Sequence, residues 1–97
     1  MDLTGKQKRH LRGLGHELHP LVTIGGNGLS ESVLSELNQT LEHHELIKVK
    51  VNAGERDEKK VLIAEMVEKS KATLVQTIGH VALLYRRAEQ PKLQLPK

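Results

Sequence analysis

The residues best placed to do chemistry in this sequence are Gly25, Gly26, Asn27 and Gly28, a cluster that takes three of only 8 glycines. The apolar run Leu21-Val22-Thr23-Ile24 leads into it, and a helix-like pattern from Glu31 to Leu41 leads out. A glycine loop between a strand and a helix start lets the backbone approach a partner closely. The unpaired N–H groups and positive dipole end of the helix then favour an anion, most naturally a phosphate. Ser30 suits the N-cap, and Leu29 and Leu34 stand at the two positions of a hydrophobic staple. Glu31 suits the helix dipole but would compete with an incoming phosphate.

Two better-known phosphate loops do not fit. A Walker A loop starting at Gly25 would need glycine at Ser30 and lysine at Glu31. A dinucleotide loop starting at Gly26 reaches Gly28 but meets Glu31 where its third glycine belongs. What remains is G-x-x-G, Gly25 to Gly28, the pattern with which KH domains clamp nucleic-acid backbone. Other chemistry is thinly supplied. With no cysteine, disulfides and thiolate metal sites are excluded. Among the six histidines, His16 and His19 are three apart between turn residues, and adjacent His43 and His44 would point apart on a helix. No third ligand stands at a metal-site spacing, so neither a metal nor another cofactor is expected. No serine sits in a G-x-S-x-G elbow, no catalytic residue is assigned, and the chain is expected not to be an enzyme.

Charge is the second resource. The formal net charge is +3 and the pI about 9.3. Residues 4–15 carry Lys6, Lys8, Arg9 and Arg12 without an acid, whereas residues 29–45 carry Glu31, Glu36, Glu42 and Glu45 without a Lys or Arg. Such segregation creates a local positive field. Tyr85 is the only aromatic residue of the Phe, Trp and Tyr set, so a surface that stacks several bases on aromatic rings is excluded. Nucleic acid would be held through backbone phosphates and shape.

These groups need elements to position them, and the chain supplies seven. Thr4 to Leu14 reads as a helix, with Thr4 and Gln7 as its capping box and Gly15 as its stop. Leu11, Leu14 and Leu18 give its apolar side, opposite Lys8, Arg9 and Arg12. Leu21 to Ile24 reads as a short buried strand, and Glu31 to His43 as a helix with Val33, Leu34, Leu37 and Leu41 inward. Leu46 to Val51 alternates, turning Ile47, Val49 and Val51 one way and Lys48 and Lys50 the other. This strand–helix–strand run is a potential βαβ unit. After a loop at Asn52-Ala53-Gly54, a helix over Arg56–Ser70 turns Ile63, Ala64, Met66 and Val67 inward. Thr73–Thr77 and Val81–Tyr85 read as a hairpin closed by Ile78-Gly79-His80. Residues 88–97, with Pro91 and Pro96, read as an extended or loose tail after one domain over residues 1–87. No apolar run approaches the ~20 residues of a membrane span, and the first residues hold no apolar segment of signal-peptide type. A cytoplasmic protein is expected.

Leu3-Thr4-Gly5-Lys6-Gln7-Lys8-Arg9, Gly25-Gly26-Asn27-Gly28-Leu29, His44-Glu45-Leu46-Ile47-Lys48-Val49, and Ile78-Gly79 with Leu84-Tyr85-Arg86 together resemble the CRM-domain family, in particular its bacterial stand-alone YhbY-type members. The resemblance covers about residues 2 to 87 in order. It implies an α/β (α+β) fold, α-β-α-β-α-β-β with a mixed four-stranded sheet, similar to the C-terminal domain of translation initiation factor 3. It also implies RNA binding through Gly25, Gly26, Asn27 and Gly28, flanked by Lys6, Arg9, Arg12, Lys48 and Arg86; Lys8 and Lys50 join them from the charge pattern. The implied partners are ribosomal RNA and precursors of the large ribosomal subunit, which such a protein would help to assemble, and a monomer is expected. KH loops usually carry a basic residue in the middle, whereas Gly26-Asn27 is uncharged. Phosphate contact would therefore rest on backbone N–H groups and on charges from elsewhere. The alternative is a protein-interaction module whose basic surface docks on a ribosomal protein or another acidic partner.

Overall fold

The computed structural model describes residues 3–52 and 54–96. Met1, Asp2, Lys97 and the middle of the expected loop, Ala53, lie outside the described residues. The elements in chain order are α1 (Gly5–Gly15), β1 (Pro20–Ile24), α2 (Glu31–His44), β2 (Leu46–Val51), α3 (Arg56–Ser70), β3 (Thr73–Ile78) and β4 (Val81–Tyr85). They build one mixed sheet in the order β1-β2-β4-β3, with β1 parallel to β2 and the other two pairings antiparallel. This is the α-β-α-β-α-β-β arrangement that the sequence implies.

Alternation along β2 divides the core in two. Ile47, Val49 and Val51 face α2 and α3, where they bury with Val22, Ile24, Leu37, Leu41, Met66 and Leu84. The opposite face starts apolar at Leu46 and continues with Lys48 and Lys50. There Leu46, Val75, Leu83 and Tyr85 form a smaller cluster under Leu11 of α1. Complete burial of Leu11 stabilises the docking of α1 by roughly 2 kcal/mol. The capping box is formed in both directions: Gln7 N–H donates to Thr4 Oγ1 at 3.1 Å, and Thr4 N–H to Gln7 Oε1 at 3.0 Å.

Several local expectations are revised by packing. Leu14 is 39% exposed, because α1 faces the sheet with Leu11 and Gly15 instead. Gly15 does end α1, as read from the sequence, and it is also a close-contact residue: a Cβ there would lie 2.8 Å from Leu83 Cδ2. β1 is half-buried, since it occupies a sheet edge and only Val22 and Ile24 reach the core. Ala64 of α3 is exposed. His43 and His44, in the last turn of α2, meet edge to face at 4.7 Å instead of pointing apart. Ile78 belongs to β3, which leaves Gly79-His80 as a two-residue turn. Gly79 takes φ +56 there, the positive φ that the first position of a type II′ turn requires.

The tail is extended but docked. Leu93 and Leu95 pack against the cluster around Leu11, and Gln7 Nε2 donates to Pro96 O at 3.0 Å. Fully buried Glu45 anchors its start, accepting N–H bonds from Ala88 at 3.0 Å and Leu93 at 2.9 Å, and another from Lys92. Burial by itself raises the Glu45 pKa. The three N–H donors and the Lys92 charge outweigh it and hold the carboxyl below its ordinary range. Burial, and then the Glu45 charge, raise the Tyr85 pKa, against a smaller opposing effect of Arg87.

Candidate nucleic-acid interface

The glycine loop leaves the C-terminal end of β1, at the end of the sheet where β2 finishes and β4 begins. Gly28 N–H donates to Gly25 O at 3.0 Å, closing a tight turn, and Gly28 then takes φ +71. A side chain would be strained at that φ, so Gly28 has a backbone reason to be glycine. Gly25 and Gly26 have none. Neither has positive φ, and a Cβ at either would meet nothing within 4 Å. Two exposed glycines that the fold does not demand leave bare backbone open to close approach. Asn27, which follows them, is exposed as well.

Helix α2 starts directly behind the turn. Ser30 Oγ accepts from Val33 N–H at 3.2 Å, and Leu29 and Leu34 both pack against the main core. The N–H groups of Glu31 and Ser32 lie in the first turn, where helix geometry supplies no acceptor.

The two flanks of the loop differ in charge. Towards α3 it borders a hollow of about 350 Å³ lined by Gly26, Gly28, Gly54, Val61, Leu62, Glu58 and Glu65. Glu65 is paired with Lys69 at 2.8 Å, which leaves Glu58 as the acid facing this side. Towards the other side, β1 and β2 run parallel, with Thr23 paired to exposed Lys50. An anion at the loop is therefore favoured from the Lys50 side.

Lys48 stands two residues before Lys50 on the same face of β2. Its Nζ donates to Leu18 O at 3.1 Å, tying β2 to the segment after α1. An ammonium has three protons, so this bond holds the head in place and leaves donors free. On α1, Lys6, Arg9 and Arg12 are exposed and Lys8 is half-buried. Helical spacing puts Lys8 and Arg12 on one flank and Gln7 and Leu14 on the other. The tail takes the Gln7 flank, leaving the basic one clear.

Arg86 is not brought to this surface. It follows β4 at the end that pairs with Leu46, so about 17 Å of β2 separates it from the loop. Its guanidinium joins the middle of α2 to the end of α3: Nη1 donates to Asn38 Oδ1 at 2.8 Å and to Ser70 O at 3.0 Å, and Nη2 donates to Asn38 O at 3.0 Å. The fold thus gathers the loop, β2 lysines and α1 bases around the sheet, and assigns Arg86 to structure.

Sequence reasoning missed the polar residue Gln76 on this sheet face, which pairs with Leu83. A bulge between Leu74 and Gln76 shifts its register, and nothing in the alternation of β3 reveals it. It also missed the contact between Lys59 Nζ and His80 Nδ1 at 2.8 Å, which links the start of α3 to the hairpin turn across 21 residues.

Comparison with known proteins agrees with this architecture. The family model described as CRS1 / YhbY (CRM) domain matches residues 3–86. A Haemophilus influenzae protein named "RNA-binding protein" is 53% identical over 95 residues, covering 98% of this chain and 96% of its own. The Bacillus subtilis protein named "Probable RNA-binding protein YqeI" is 38% identical over 95 residues, covering 97% of this chain and 99% of its own. Among solved structures, the solution structure of SAV1595 from Staphylococcus aureus aligns with a TM-score of 0.84 at 42% identity, over 98% of this chain and 100% of that one.

Proposed function

The chain belongs to the CRS1 / YhbY (CRM) domain family, and from that membership we propose that it binds RNA by its backbone at the glycine loop and the adjoining lysine face of the sheet. The observation that carries the site is the pair Gly25 and Gly26, exposed glycines for which neither φ nor crowding gives a structural reason. A phosphate meets bare N–H groups there, with Lys50 next to it and Lys48, Lys8 and Arg12 extending the positive surface. Lys6 and Arg9 add longer-range attraction. Arg86 is left out of this surface. The action is binding, and nothing in it requires a cofactor or a chemical step.

The family resemblance extends the reading to ribosomal RNA in precursors of the large subunit, where a monomer bound to the backbone would assist assembly in the cytoplasm. Among the described residues no helix is long and apolar enough to cross a membrane. Crosslinking in cells followed by sequencing of the bound RNA tests the target, with enrichment of large-subunit precursor RNA as the expected result. Nuclease treatment of the native complex tests the mode. An RNA-held complex dissolves, whereas one that survives intact would instead mark docking on a ribosomal protein.

A further inference from the structure

The part of the sheet face beyond α1 and the tail is not uniformly polar. Pro20, Lys48, Leu83 and Gln76 form one rung across all four strands, and Lys50, Val81 and Ile78 lie in the next. Between them is a hollow of about 200 Å³, lined by Pro20, Lys48, Gln76, Ile78, Val81 and Leu83. Its walls are aliphatic, and Ile78 leaves 63% of its surface exposed. Ile78 is not a lone exposed apolar side chain, because it shares the hollow with Pro20, Val81 and Leu83, and a continuous apolar patch rimmed by polar residues is the kind of surface that marks a contact site.

Three features narrow the occupant. The hollow is smaller than the roughly 300–1,000 Å³ of pockets that enclose whole small molecules, so it suits a single flat group. The only charged residue lining it is a cation, Lys48, with Lys50 in the next rung. Gln76 carries both an acceptor and a donor, which can meet the edge of a heterocycle. A flat heterocycle attached to an anionic chain has the combination these features match. We infer that the hollow is a subsite for one unstacked nucleobase of single-stranded RNA. Its ring lies on Pro20, Ile78 and Val81, its edge is at Gln76, and the neighbouring phosphate is at Lys48 or Lys50. The inference rests on the RNA reading above. It adds ring contact to backbone contact, with aliphatic side chains in place of aromatic ones.

The full chain is titrated at low salt with two probes, a short oligoadenylate and an abasic backbone of the same length and charge. The expected result is oligoadenylate binding tighter by roughly fivefold, set at the low end of base stacking on aromatic side chains because the walls here are aliphatic. Ile78→Asn should remove that difference while leaving the affinity for the abasic backbone unchanged, and Ile78→Val should keep it. Because Ile78 is largely exposed, both variants are expected to fold. Equal binding of both probes by the unmodified chain, or equal weakening of both by Ile78→Asn, overturns the subsite and points to a protein side chain as the occupant. Binding of neither probe overturns the RNA reading itself, and the subsite with it.

Discussion

The Glu45 carboxylate lies 2.9 Å from the Leu93 N–H, a bond spanning 48 residues that ties the end of α2 to the C-terminal tail. Glu45 makes it from φ +64, one of two positive values at non-glycine residues among those described. The residue thus combines backbone strain with a buried charge met by three N–H donors. Glu45→Gln should destabilise the protein by about 1–3 kcal/mol at neutral pH, measured by denaturant unfolding. Glu45→Gly relieves the unfavourable φ while Glu45→Ala keeps it, so the glycine variant should be the more stable of those two by about 1 kcal/mol.

The same residue sets a pH dependence. Its folded pKa is lowered, so its stabilisation is present above the ordinary glutamate range near 4.5 and lost as pH falls through the folded value. The unfolding free energy of the unmodified chain should therefore decline on acidification below that range. Glu45→Gln, which has no proton to gain there, should decline less. Parallel curves would contradict the latch.

Gly15 and Gly13 are both in α1 but should respond in opposite directions to alanine. A Cβ at Gly15 would press on Leu83, which is buried, whereas one at Gly13 meets open space. Gly15→Ala should lower stability by about 1–3 kcal/mol. Gly13→Ala should raise it by about 0.5–1 kcal/mol through helix propensity. Thermal unfolding of the pair decides whether α1 sits as closely on the sheet as described.

Arg86 and Lys50 provide a contrast between structure and binding. Arg86→Ala removes three hydrogen bonds that join Asn38 to Ser70. It should cost about 2–3 kcal/mol of stability and leave the RNA salt dependence of the folded protein unchanged. Lys50→Ala, at an exposed strand position, should hardly affect stability but should lower the slope of log affinity against log salt by about one.

Much of this architecture is legible in the sequence because local rules and packing agree. The Thr4–Gln7 box, the Ser30 cap, the alternation of β2 and the Gly79 turn each state a local geometry that the tertiary structure keeps. What is not legible depends on contacts between distant segments. Leu14 is left exposed and Gly15, besides ending α1, faces the sheet, because Leu83 lies beneath α1. Glu45 looks like one more surface acid until the tail closes over it. Arg86 looks like one more base until Asn38 and Ser70 surround it. At the candidate site the loop and the lysines are visible as motif and charge. The acidic flank at Glu58 and the aliphatic hollow at Ile78 are not, since both arise from register and from packing across elements.

The central claim is that bare backbone at Gly25 and Gly26, next to Lys50, holds an RNA phosphate. It is tested most directly by the affinity of Gly26→Asp for large-subunit ribosomal RNA across a salt series, with its thermal midpoint measured alongside. Gly26 has ordinary φ and open space, so the variant should unfold at nearly the same temperature as the unmodified chain. The account predicts binding weaker by about tenfold or more at low salt, as an added negative charge displaces the phosphate. Unchanged affinity in a variant with an unchanged thermal midpoint would contradict it.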